Sequence, residues 1–315
     1  MTRFRAIMEK PWLWAFVGAF VVWIATAAFT RGMGAGEVLT AAFTFAVFFV
    51  IVGIGQMFVV TLGPGNVDLS VPATITLAGA VSTKLMDTQD SMILIGFLAA
   101  MGVGLGVGLF NYGLIRLLRI PPIIATLSAA FVIQSMAIAY GRGLRIKPPP
   151  LLADFTTERI AGMPVLAICV IGLAAIMTVV LNRTVYGRSV IAIGQNRRAA
   201  RLAGIGVEWT RFATYTMCAL FASLCGYLLS GFSGGASLNM GEEYLLASIA
   251  VVVIGGTSVA GGFSNVPGLW GAALFMFLLV TMLNTFGAAA GVRLIMTGLI
   301  IITVIVLAGG RKASR

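Results

Sequence analysis

The stretch Leu39-Thr-Ala-Ala-Phe-Thr-Phe-Ala-Val-Phe-Phe-Val-Ile-Val-Gly-Ile-Gly-Gln-Met-Phe-Val-Val-Thr61 carries no charged side chain over 23 consecutive positions. A helix needs about 20 apolar residues to cross the ~30 Å hydrocarbon core of a bilayer. This run is long enough, and it lacks the alternation of inward and outward residues that a membrane barrel strand requires. The same reading along the chain gives about ten such segments, at 12–30, 39–61, 69–86, 92–115, 121–140, 164–182, 211–231, 244–262, 266–286 and 292–308. Across all 315 residues, 59% are hydrophobic and 10% charged, against about 25% charged in soluble domains. There is too little polar surface to cover a water-soluble globule. The expected fold is an all-α integral membrane protein forming one transmembrane domain over 1–315: five spans in 1–140, a loop at 141–163, and five spans in 164–310 with a long polar connection at 183–210.

Charge sets the orientation. Lys and Arg accumulate at cytoplasmic ends of spans. With the N-terminus inside, the inner segments hold 14 of the 21 basic residues: Arg3, Arg5, Lys10, Arg116, Arg119, Arg183, Arg188, Arg197, Arg198, Arg201, Arg211, Arg311, Lys312 and Arg315. The outer segments hold Arg31, Lys84, Arg142, Arg145, Lys147, Arg159 and Arg293, and the acids Glu37, Asp87, Asp90, Asp154, Glu158, Glu242 and Glu243 lean outward. Both termini are therefore expected in the cytoplasm and the proline-rich loop 141–163 outside. The first span, with three tryptophans in or beside it (Trp12, Trp14, Trp23), reads as an uncleaved anchor despite the signal-like Ala25-Thr-Ala27. An odd number of spans per half implies two halves inverted with respect to each other.

Several chemistries are absent. The net charge of +11 is accounted for by span orientation, and no basic stripe with interleaved aromatics points to nucleic acid. There is no histidine, hence neither the commonest metal ligand nor the easiest proton shuttle, and no metal or cofactor is expected. Cys169, Cys218 and Cys225 lie in apolar runs as packing residues. The four lysines, Lys10, Lys84, Lys147 and Lys312, follow no phosphate-cradling glycine loop. Gly102-Val-Gly-Leu-Gly-Val-Gly108 lies within a span, where Gly102/Gly106 and Gly104/Gly108 provide small-residue spacing for close helix packing. Span interiors hold almost no carboxylates, so the relay of an ion-coupled carrier is missing, and no catalytic set is present.

Three elements remain. The first is Tyr186 to Val207, a basic island in an otherwise apolar chain. Asn196 is a good N-cap, residues 197–203 favour helix, and Gly204 suits the position just past a helix end. Arg197 and Arg201 share a face, as do Arg198 and Arg201, while Ala199, Ala200 and Ala203 leave the rest of the surface small. A helix of two turns is marginal alone, so it needs a surface to lie on, and the element reads as a docking site for an energy-converting partner. The second element is Leu62-Gly-Pro-Gly-Asn-Val-Asp-Leu-Ser-Val-Pro72, which cannot continue a membrane helix. Asn66, Asp68 and Ser70 either line a wet path or form a turn in which Asp68 caps the next helix. The third is Val253-Ile-Gly-Gly-Thr-Ser-Val-Ala-Gly-Gly-Phe263, where the glycines favour packing and Thr257 and Ser258 are the candidates for polar contact along a path.

Together, Asn66-Val-Asp-Leu-Ser-Val71, Gly194-Gln-Asn-Arg-Arg-Ala-Ala-Arg-Leu-Ala-Gly-Ile205 and Ile254-Gly-Gly-Thr-Ser-Val-Ala-Gly-Gly262 resemble the motifs of the permease subunits of ABC sugar importers of bacterial inner membranes, the ribose/xylose/arabinose/galactoside-type family. The chain departs from the family pattern at Asn66 and Pro72, where glycine is usual, and both changes stiffen the first element. They fit a diverged member, one half of a heteromeric permease pair. The resemblance implies a periplasmic binding protein that delivers a sugar, two permease subunits that form the pathway in the bilayer, and ABC ATPase subunits that grip the short helix inside. It assigns Gly194, Asn196, Arg197, Arg198, Ala199, Ala200, Arg201 and Gly204 to coupling, and Asn66, Asp68, Ser70, Thr257 and Ser258 to the neighbourhood of the path. Nucleoside or branched-chain amino acid permeases are the nearest other reading, and a stand-alone secondary carrier is the competing class.

Overall fold

The computed structural model describes residues 12–143 and 146–287, with isolated positions up to 303. Arg3, Arg5, Lys10, Arg145, Arg293, Arg311, Lys312, Arg315, both termini and much of the expected span 292–308 lie outside the described residues.

The chain forms twelve helices among the described residues, joined by short turns: α1 Leu13–Phe29, α2 Ala35–Thr61, α3 Val71–Met86, α4 Ile93–Leu117, α5 Pro122–Gly141, α6 Pro150–Thr157, α7 Val165–Arg183, α8 Val185–Gln195, α9 Arg197–Leu202, α10 Val207–Phe232, α11 Tyr244–Ile254 and α12 Pro267–Thr285. Prolines occupy the first turn of α3, α5, α6 and α12, where the missing N–H has no partner to lose. The molecule is thus an all-α membrane bundle apart from one small hairpin, β1 Arg159–Ile160 paired antiparallel with β2 Met163–Pro164.

Six segments are long and apolar enough to cross a bilayer: Ala35–Thr61, Asp90–Leu117, Pro122–Gly141, Val165–Arg183, Val207–Phe232 and Pro267–Thr285. Helix α1 has 17 residues, α3 has 16 and α11 has 11. The expected span 244–262 is helical only to Ile254, because Gly255 and Gly256 end it and Gly256 turns with φ +90°. Helix α10 begins at Val207, earlier than the expected 211, since the first turn exposes one face and buries Val207 and Thr210. Loop 141–163 is more ordered than expected: it holds α6 and β1, with Leu152 wedged against Gly231 of α10.

Helices α2 and α10 form the centre. They touch where Gly55 faces the Cys218 backbone, leaving no room for a side chain. Helix α4 then packs along α10 through Gly104 and Gly108, which lie against Ala219, Leu220, Ser223 and Thr216. Gly102 and Gly106 face open space instead, so one of the two glycine pairs serves the close approach. Helix α10 rests on α3 and α4, while α2 rests on α11 and α12. Each half thus sends its long central helix into the other half.

The two short helices start inside the bundle. Asn66 meets Tyr215 at 3.0 Å, about 12 Å along α10 from its first residue at ~1.5 Å per residue. The chain therefore climbs back into the bundle as non-helical, turn-containing backbone before α3 begins. Tyr244, at the start of α11, packs against Phe49 with tilted rings 5.2 Å apart between centroids, roughly half-way along α2. Pro72 at the start of α3 lies directly against Gly241 just before α11. Two discontinuous helices thus start side by side in the interior and run to opposite ends. The break at 62–70 has its counterpart in 233–243. Non-helical backbone at such depth is stable only when enclosed by protein, and Asp68, Ser70 and Gly241 are all buried.

Candidate functional site

One end of the bundle gathers Thr61–Gly63, the end of α4, residues 183–208 and the stretch 255–266. The opposite end gathers Asp90 with Leu151 (3.0 Å), Lys84 with Tyr140 and Gln134 with Leu238 (2.9 Å). Arg116, Arg119, Arg183, Arg188, Arg197, Arg198, Arg201 and Arg211 lie at the first, which is the basic end.

Helix α9 forms there as its local sequence dictates. The Asn196 side chain accepts from the N–H groups of Arg198 and Ala199, both at 3.0 Å. At the other terminus Ile205 N–H donates to Ala200 O and Gly204 N–H to Arg201 O, each at 3.1 Å, with Gly204 at φ +81°. These paired bonds close the helix end, and only a glycine takes that φ without strain. Ala200 is buried beneath the helix, while Arg197, Arg198, Ala199, Arg201 and Gly204 are exposed. Helix α8, which the sequence did not announce, carries α9: Thr184 caps it through Gly187 N–H at 3.1 Å, and Tyr186 fixes it to α10 through Thr214 at 2.9 Å. Leu202 is 89% exposed and Trp209 72%, so this end presents apolar as well as basic surface.

The three sequence elements meet at a junction of main chain. Gly262 N–H donates to Thr61 O at 3.0 Å. Gly194 fits between Thr61 O and Gly262 N, and Gly261 lies on Gly63, so that a methyl group at either position would run into backbone. Gln195 reaches Gly262 O at 3.5 Å. Gly194 is thus a sealing residue at the foot of α9 and not part of its exposed face.

From this junction the break leads inward to a buried polar cluster. Asp68, 1% exposed, accepts from Ser70 N–H at 2.9 Å and Ser70 Oγ at 2.6 Å. Asn111 of α4 donates to Ser70 Oγ at 2.7 Å and lies 3.4 Å from Asp68 Oδ2. Thr126 of α5 accepts from Leu69 N–H at 3.0 Å, and Tyr215 OH donates to Asn66 Oδ1. Asp68 therefore caps its own turn and ties it to α4. Thr257 and Ser258 are not in this cluster. They follow α11 at the basic end, where Thr257 is buried without a side-chain partner among the described residues and Ser258 N–H donates to Phe263 O at 3.0 Å.

Glu208 was overlooked by sequence reasoning. It binds Arg197 (2.8 Å) and Arg201 (3.2 Å) of α9, Arg116 (3.6 Å) of α4 and Arg211 (3.8 Å) of its own helix. Tyr112 OH adds a bond to Glu208 Oε2 at 2.8 Å. The available signal was that Glu208 is the sole acid between Glu158 and Glu242 and directly follows the basic island, with Arg211 beyond it. Asn111 and Tyr215, two polar residues on long apolar helices, gave a weaker one.

No group of three or more metal-ligating side chains occurs among the described residues. The apolar helical bundle with interrupted helices inside and a short basic helix at one end has the build of a multi-pass membrane protein, and its family and relatives are permeases, transport components rather than enzymes. The chain belongs to the family described as "branched-chain amino acid transport system / permease component", which matches residues 37–305. It is 31% identical to a probable ABC transporter permease protein, y4mJ, of Sinorhizobium fredii, over 84% of this chain and 79% of that one. It is 28% identical to the ribose import permease protein RbsC of Bacillus subtilis, over 97% and 94% of the two chains. It is 27% identical to the fructose import permease protein FrcC of Rhizobium meliloti, over 82% and 73%. No solved structure matches.

Proposed function

We propose that the protein is the membrane-spanning permease subunit of an ATP-binding-cassette importer for a sugar, driven by a separate ATPase subunit and supplied by a periplasmic binding protein. The observation that carries this reading is α9: a capped, arginine-bearing turn, seated by glycines on the same junction where the interrupted segments begin. The ribose and fructose import permeases among its relatives support a sugar over a nucleoside or a branched-chain amino acid. The basic end faces the cytoplasm of a bacterial inner membrane, where the positive-inside rule places arginines, and the opposite end with α6 faces the binding protein. Both termini are cytoplasmic, the chain makes ten membrane segments of which two contain the half-length helices α3 and α11, and the exchange of α2 and α10 between halves reflects an inverted five-plus-five repeat within a single transmembrane domain.

In this reading the ATPase grips Arg198, Ala199 and Leu202, the exposed face of α9. Closure of the ATPase pair moves α9, Gly194 passes the motion to Thr61 and Gly262, and the half-helices α3 and α11 shift against each other. Asn66, Asp68 and Ser70 hold the unwound segment beside the path, and Thr257 and Ser258 close its inner margin. A second permease subunit, a copy or a sibling, completes the pathway. The test is reconstitution in liposomes with the ATPase and binding protein: labelled ribose or fructose enters only with ATP. Gradient-driven uptake by the purified chain alone would instead establish a secondary carrier.

A further inference from the structure

The two carboxylate oxygens of Glu208 serve different parts of the molecule. Oε1 takes Arg197 at 2.8 Å and Arg201 at 3.2 Å, both from α9. Oε2 takes Arg116 at 3.6 Å and Tyr112 OH at 2.8 Å, both from α4, and Arg211 at 3.8 Å from α10 itself. All ion pairs found among the described residues converge on this one group. Three helices therefore present four guanidinium groups to a single carboxylate. Without it the α9 arginines would face Arg116 and Arg211 with nothing to offset their repulsion.

We propose that Glu208 is a positioning residue, a two-sided clasp that makes α9 move as one body with α4 and α10. The inference rests on the reading that α9 is gripped by an ATPase. Isolated exposed ion pairs hold little, and the α9 and α4 arginines are half-exposed or more. The clasp differs because Arg211 has a side chain only 10% exposed and because the phenol of Tyr112 shares the same oxygen. Glu208 is also the second residue of α10, so a pull on α9 reaches the helix axis directly. Tyr215 of that helix holds Asn66 in the interior break. A continuous path of bonded groups thus runs from the lever to the interrupted helices, alongside the four-residue connection 203–206 that joins α9 to α10.

The measurement is sugar imported per ATP hydrolysed by the assembled importer in proteoliposomes, using labelled ribose or fructose, whichever the wild type takes up. Glu208→Gln keeps the shape and removes the charge. It is expected to lower the ratio about tenfold, within the range of coupling between linked sites, while the assembled complex continues to hydrolyse ATP. Glu208→Asp, which keeps a carboxylate, restores most of the ratio. The double variant Tyr112→Phe, Arg116→Gln cuts only the α4 arm and decides the matter if Glu208→Gln does not reach the membrane; it too is expected to lower the ratio. An unchanged ratio per assembled complex, with transport and hydrolysis falling together or not at all, overturns the clasp and leaves the functional reading standing. A wild-type chain that binds no ATPase overturns that reading and the clasp with it.

Discussion

Gly194 shows how much one hydrogen atom can matter. Its α-carbon is enclosed by Thr61 O and the Gly262 main chain, so Gly194→Ala must push backbone apart, at the ~1–3 kcal/mol typical of overpacking. Gly113→Ala, at a glycine with nothing within 4 Å, is the control. The first lowers the denaturation midpoint of the detergent-solubilised protein, and the second, within α4 and unobstructed, leaves it unchanged or raises it slightly. At Asn196 the loss is of a cap. Asn196→Ala removes the acceptor of two N–H bonds at about 1 kcal/mol, which weakens ATPase association about fivefold, measured by titrating the ATPase onto nanodisc-embedded permease. Gly204→Val places a branched residue at φ +81° and should abolish ATP-driven uptake, counted against the amount of protein in the membrane. Asn196 and Gly204 were readable from sequence because caps act over three or four residues. Glu208 was not, since its partners Tyr112 and Arg116 lie about ninety residues away and only folding brings them together.

At the level of elements, the break at 62–70 is held by one carboxylate. Asp68→Ala strips the acceptor from Ser70 N–H and Oγ in a site that water does not reach. Each orphaned donor costs about 1–3 kcal/mol, so a pronounced fall in thermal stability is expected, while Asn66→Ala, at a partly buried position, is milder; a thermal melt of the two variants checks the order. The long helices followed from apolar runs. Helix α8 did not, because its buried face is made of Gly187, Ser189, Val190 and Ile193, two of them small and weakly apolar, and no run of hydrophobic residues marks it. Helix α6 was hidden by Pro148-Pro-Pro150, which reads as coil although a proline is welcome in a helix's first turn. The end of α11 was misplaced for a related reason. Val253 to Phe263 remains apolar enough to pass for a span, and only the left-handed glycines show that the backbone turns.

For the whole molecule, orientation is the property that charge predicts and geometry must obey. In a Cys169→Ser background, which removes the exposed cysteine and leaves buried Cys218 and Cys225, a cysteine at Arg198 is expected to react with a membrane-impermeant reagent only from the cytoplasmic side. One at Leu151 of α6 is expected to react only from the opposite side. Reaction of both from one side would overturn the topology. Membrane residence was plain from composition alone. The exchange of α2 and α10 between halves, and the meeting of α3 with α11, could not be read, because they depend on which helices pack together and the apolar runs look alike in that respect.

The contact of Thr61, Gly194 and Gly262 has a consequence for how the protein can change. Three distant stretches of chain are joined there chiefly by peptide groups, and two of the three residues, Gly194 and Gly262, have no side chain that could be trimmed or recharged. Natural variation has little to adjust at these two glycines of the seam; a saturation library at Gly194 and Gly262 should return glycine or loss, with no intermediate phenotypes. Tuning of throughput must then arise elsewhere, in the arginines outside it and the polar groups within.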